Sequence, residues 1–197
     1  ARISFESARE IAKSAGLEME EARALGNLAN AHSNLNENIS ASDLYRMSLF
    51  LFRKLGASAK EIIILKNAAN VECSLKHWDD AIKLHKRRAE LCLESQQENE
   101  RSESIAAISM LQAEIEKEVQ AAERSRIETL WKEGRGLMES KKFEQAEKVL
   151  TEAFYASEAL KDKRWEGKIR LEKARIIFEQ QGMGIHSGTA FVDEMTL

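Results

Sequence analysis

The sequence predicts an all-α fold, a solenoid of stacked helical hairpins. Three observations predict it. No proline occurs among 197 residues, where ordinary usage of roughly 5% would place about ten, and proline breaks helix interiors. Hydrophobic residues make up 43% of the chain and charged residues 32%, with Ala, Leu, Glu, Lys and Arg favouring helix. The chain also repeats itself at an offset of 40 residues. Such a repeat marks an array whose units cannot bury their apolar faces alone.

The repeat is read residue by residue. ARALGNLANAHSNL at 22–35 aligns with IIILKNAANVECSL at 62–75, placing Asn27 on Asn67, Ala29 on Ala69, Asn30 on Asn70 and Leu35 on Leu75. The segments from 40 and 79 keep the register, with Ala41 on Ala81, Leu44 on Leu84 and Tyr45 on His85. Further back, Ala1, Phe5 and Gly16 precede Ala41, Tyr45 and Gly56 by 40 residues. Another copy covers 130–154, where Gly134 takes the place of Ala29 and Ala69, and Ala146 that of Ala41 and Ala81. The two small residues stand 12 apart in every copy. The segment 161–182 restarts the pattern, with Ala174 lying 40 beyond Gly134. Small residues recur because two antiparallel helices approach closely only where small side chains sit at the crossing. Leu25, Leu28 and Ala29, then Ile62, Leu65 and Ala69, then Ile169, Ile176 and Ile177 fall at helical spacing and are read as core.

The register breaks once. Ser109 holds the small position after Ala69, but the next small residue is Gly134, 15 residues early. Residues 100–133 contain neither glycine nor proline. A long continuous helix over about 100–135 accounts for this, and so does a compressed hairpin with a turn near Ala121–Arg126. Residues 1–15 read as the second helix of a repeat and 161–181 as a first helix without its second. The array thus spans 1–181 with incomplete repeats at both ends, as a piece of something longer would. Residues 182–197, GMGIHSGTAFVDEMTL, lose the helical period and read as a non-repeat tail.

Composition narrows function. The formal net charge is -3 with both signs mixed along the chain, which lacks the basic footprint of a nucleic-acid binder. The run Lys83, Lys86, Arg87 and Arg88 reads as a solvated helix face. Cys73 and Cys92 form no metal motif or disulfide framework and read as small packing residues in a reducing, cytoplasmic setting. No run approaches the roughly 18 apolar residues of a membrane span. The histidines His32, His77, His85 and His186 lie in no metal-spacing motif, and no nucleophile elbow or phosphate-binding glycine loop is present. The sequence therefore predicts no enzyme, no metal and no cofactor. His85, standing where the previous copy has Tyr45, reads as a half-buried packing residue.

Glycine or alanine at the eighth repeat position, alanine at the twentieth and an aromatic just before it resemble the tetratricopeptide repeat. Trp78-Asp79-Asp80-Ala81 and Phe143-Glu144-Gln145-Ala146 are local matches. That family's usual repeat is about 34 residues, and the 40-residue form here has longer helices. LGNLANAH in the first helix and DDAIKLHKRR in the second resemble the Partner-of-Inscuteable (Pins/LGN) subfamily over roughly 1–95 and 127–181. The resemblance implies a right-handed superhelix and a cytoplasmic spindle-orientation scaffold, recruited to the cell cortex or spindle in cell division. Its partners would be Inscuteable- or NuMA-type segments. No Gα-binding motif is present. Tonsoku repeats, from a chromatin and replication scaffold, are similar as well. A third reading is a structural helical subunit packing on another protein, which an apolar stripe along 100–135 would favour.

In such an array the first helices line the concave surface. On the repeat register the candidate partner-binding residues are Arg23, Asn30 and Asn34, then Lys66 and Asn70, then Arg135, and finally Lys168 and Arg175, with Asn27 and Asn67 on an adjacent edge. Asparagine offers both donors and an acceptor to an extended backbone, and arginine adds charge-assisted bonds to carboxylates. The ligand this ladder suits is an extended, acidic peptide. Each asparagine could instead bond local backbone. Trp131 occupies a groove position that packing could equally claim, and Glu103, Glu114, Glu128 and Glu139 add acidity to the middle of the groove.

Overall fold

A computed structural model describes residues 2–181. Among these residues the chain is all-helical, with no strand. The helices are α1 (Arg2–Ser14), α2 (Glu18–Asn34), α3 (Asn38–Lys54), α4 (Ser58–Ser74), α5 (Trp78–Glu94), α6 (Glu98–Glu139), α7 (Phe143–Ala159) and α8 (Lys163–Gln180). Consecutive helices pack as hairpins, so the solenoid of helical hairpins that the repeat predicts is the observed fold. The 40-residue period has a simple origin. Helices α2 to α5 and α7 are each 17 residues long, and three connecting residues bring each unit to 20, as the starts Glu18, Asn38, Ser58, Trp78 and Glu98 record.

Every turn is built alike. Gly16, Asn36, Gly56, Lys76, Gln96, Lys141 and Lys161 adopt φ between 55° and 67°, the left-handed conformation that ends a helix. The next amide donates back across the turn: Glu37 to the carbonyl of His32 at 3.0 Å, His77 to Glu72 at 2.9 Å, Asp162 to Ser157 at 3.0 Å. These bonds satisfy carbonyls that a helix end would otherwise leave orphaned. The same turn positions are bridged by side chains of swapped chemistry, with His32 Nδ1 on Glu37 at 2.5 Å and His77 Nδ1 on Glu72 at 2.8 Å.

The register break is the long helix. α6 runs unbroken for 42 residues, about 60 Å at 1.5 Å per residue, and no turn forms at 121–126. Ser109, expected at a helix crossing, is exposed, because α6 continues instead of folding back over it; its hydroxyl bonds the Ile105 carbonyl.

The chain divides into two compact units between Ile115 and Glu116. In the first, Leu25, Tyr45, Phe52, Leu65 and Leu91 are buried around the small crossings Ala22, Ala29, Ala41, Ala69 and Ala81. In the second, Ile127, Leu150, Ala153, Ile169 and Ile176 close around Ala146 and Gly134. Each large apolar side chain so buried stabilises by about 1.5–3 kcal/mol. Ile177 corrects the sequence reading: it is 54% exposed, because one residue of helix turns it about 100° from Ile176. Buried carboxylates are paired. Glu61 takes Arg53 at 2.7 Å and Arg87 at 3.3 Å. Glu166, at the same place in its helix's first turn, takes Lys163 at 2.8 Å.

Candidate partner-binding surface

In the first unit, Arg23, Asn27, Asn30 and Asn34 follow one another at spacings of four, three and four along α2, which places them on one stripe. Lys66 and Asn70 share a face of α4, with Asn67 one turn before Asn70. The fold uses two of these residues itself. Tyr45 Oη donates to Asn30 Oδ1 at 2.5 Å, and Asn67 Nδ2 donates to the same oxygen at 3.1 Å. One carbonyl thus ties α2, α3 and α4 together. Tyr45 is 2% exposed, and burial pushes its phenol up to about 12, so the hydroxyl stays a donor.

The remaining carboxamides are left outside this bridge. Asn27, Asn34 and Asn70 are exposed, and no side chain among the described residues bonds their carboxamides. Arg23 lies on Glu20 at 3.0 and 3.2 Å. Lys66 reaches Glu103 at 2.6 Å. That acid also takes Arg88 Nη2 at 2.8 Å, and hydrogen bonds from Lys66 and Arg88 hold its carboxyl below the usual range. The acidity expected from Glu103 is therefore neutralised from within. Glu128 is likewise held low by its bond to Lys132, at 2.7 Å.

In the second unit, three predicted residues from α6 and α8 come together. Arg135 Nε lies 3.6 Å from Glu172, and Arg175 Nη1 lies 3.1 Å from the same carboxylate. Glu172 is buried and unites them. Arg135 stacks over the Trp131 ring at 4.9 Å, and Lys168 sits 4.5 Å from the Trp165 centroid and 5.6 Å from that of Trp131. The two indoles meet edge-on at 5.8 Å. Such contacts hold cations in place over apolar surface while leaving outer N–H groups to bond. Beside them a cavity of ≈ 270 Å3 is lined by Arg135, Met138, Phe143, Glu172 and Arg175. The indole Nε1 of Trp131 is buried and has no hydrogen-bond partner.

Sequence reading located the cations here but not Trp165 or Glu172. Trp165 carried a signal, since it stands three residues before Lys168, a spacing that meets on a helix surface; Glu172 carried none. Arg88 departs from expectation too. It is 3% exposed rather than part of a solvated face, because Ser104 and Glu103 on α6 receive its guanidinium. His85 is also more deeply buried than half, at 6% exposure.

No known family model matches the chain. No curated protein matches it significantly either. Among the described residues, no group of three or more His, Cys, Asp or Glu could hold a metal ion, and no helix is long and apolar enough to cross a membrane.

Proposed function

We propose that this chain is a protein-interaction scaffold whose first helices bind an extended, acidic segment of a partner protein. The observation that carries the reading is the cation–indole cluster of the second unit, where Arg135 and Lys168 are fixed over Trp131 and Trp165. Preorganised cations bind a carboxylate with less ordering cost than free ones. The exposed carboxamides of Asn27, Asn34 and Asn70 support the same reading in the first unit, since each can donate N–H to a backbone carbonyl and accept a backbone N–H at its oxygen. The resemblance of the repeats to the Pins/LGN subfamily supports a spindle-orientation adaptor, with an Inscuteable- or NuMA-like segment as ligand.

Capture from a cell extract tests this. The wild-type chain is immobilised beside a variant carrying Asn70→Ala, Arg135→Ala and Lys168→Ala, with circular dichroism and melting matched. The reading predicts a partner retained by the wild type and lost from the variant, carrying an acidic segment. Equal capture by both would remove these first-helix residues from the site.

A further inference from the structure

The bridge of Tyr45, Asn30 and Asn67 has a disrupted counterpart one repeat later. Forty residues on, Asn30 becomes Asn70, Tyr45 becomes His85 and Asn67 becomes Ala107. Ala107 brings a methyl where Asn67 brings a donor. The result is a buried polar junction that the chain does not satisfy. His85 Nδ1 has no hydrogen-bond partner, and neither has Arg88 Nε, three residues on. Buried polar groups are nearly always paired, so two orphans side by side call for an explanation.

The guanidinium geometry supplies one. Arg88 gives Nη1 to Ser104 Oγ at 2.9 Å and Nη2 to Glu103 Oε2 at 2.8 Å. Nε and Nη2 share one edge, and that edge fits a single carboxylate through two parallel bonds. Glu103 uses only half of it, its other oxygen going to Lys66 at 2.6 Å. The side chains of Glu103 and Lys66 are 47% and 45% exposed, so both can move.

We propose that this junction of α4, α5 and α6 is a carboxylate-reading subsite, and that Glu103 is its built-in competitor. A glutamate or aspartate of the partner segment takes the Nε–Nη2 edge of Arg88 and the ammonium of Lys66, displacing Glu103. The exposed carboxamide of Asn70 grips the adjoining backbone. Burial and the charges of Arg88 and Lys66 lower the affinity of His85 for a proton, with Glu103 opposing, and its unpartnered Nδ1 is the group left for the partner's backbone amide. The inference rests on the acidic-ligand reading above and adds the place and the competitor.

Fluorescence anisotropy with a labelled oligoglutamate peptide, against oligolysine, tests it. Glu103→Gln is expected to tighten oligoglutamate binding by about tenfold, as loss of one charge-assisted competitor allows. Glu100→Gln, the same charge change on α6, is expected to leave affinity unchanged. Lys66→Ala is expected to weaken binding, and Arg88→Lys, folded by its melting curve, to weaken it further because the two-bond edge is gone. Equal effects of Glu103→Gln and Glu100→Gln, or no effect of Lys66→Ala, overturn the proposal. If only Arg135→Ala and Lys168→Ala weaken binding, the acidic-ligand reading stands and this subsite falls. If the wild type binds neither peptide, both fall.

Discussion

Gly134 shows what a single absent methyl does in this fold. An added Cβ would lie 2.6 Å from Leu150 Cγ, well inside van der Waals contact. Leu150 is fully buried and cannot step aside. Gly134→Ala should therefore lose about 2–3 kcal/mol to overpacking, the upper part of the usual range because the clash is with a fully buried side chain, and this outweighs the helix-propensity gain of about 1 kcal/mol. Denaturant titration reads this directly, and a more stable variant would mean the crossing is looser than described. The repeat register picked out Gly134 as a crossing, but which side chain rides over it is set by three-dimensional packing. His85 makes a second residue-scale prediction. Burial, then the Arg88 charge, lowers its affinity for a proton. A histidine lowered in this way supports the fold fully above its ordinary value of about 6.5. That support is lost as pH falls through the lowered value. Melting temperature should drop more steeply from neutral to mildly acidic pH in the wild type than in His85→Tyr, and parallel profiles would contradict it.

At the scale of the element, the turns divide by chemistry. Gly16, Gly56 and Asn36 are residues that accept left-handed backbone. Lys76, Gln96, Lys141 and Lys161 adopt the same conformation with a Cβ that makes it costly. Their turns carry no residue that favours this conformation and follow the 20-residue spacing of the helix starts. Lys141→Gly and Lys161→Gly should each stabilise by about 0.5–1 kcal/mol, the left-handed penalty less the entropy glycine adds to the unfolded chain. Urea melts that fall instead would place these turns in another conformation. The same lack of marked turn residues explains why 100–135 was open to two readings: strong helix formers fill it, whether or not a turn interrupts them. Ala121→Pro decides experimentally. Inside continuous α6 it should cost about 3 kcal/mol or more, whereas a turn at 121–126 would accept proline with little loss.

For the whole molecule, fold was far more legible than site. The small residues 12 apart and the missing proline are global constraints, and one sequence carries them. Binding chemistry depends on which polar groups the fold consumes. Asn30 and Asn67 look alike in sequence to Asn70 and Asn27, yet the first two are tied into the Tyr45 bridge and the others stay exposed. Glu172 entered the site only through the three-dimensional packing that buries it between Arg135 and Arg175. In the proposed function, fixed cations over the indoles receive an acidic segment. Titration of the intrinsic tryptophan fluorescence with unlabelled oligoglutamate tests it most directly, because Trp131 and Trp165 lie under Arg135 and Lys168. A saturable change is expected that weakens with salt, is absent with oligolysine, and disappears in Arg135→Ala with Lys168→Ala. No change with oligoglutamate, or the same change with oligolysine, would contradict it.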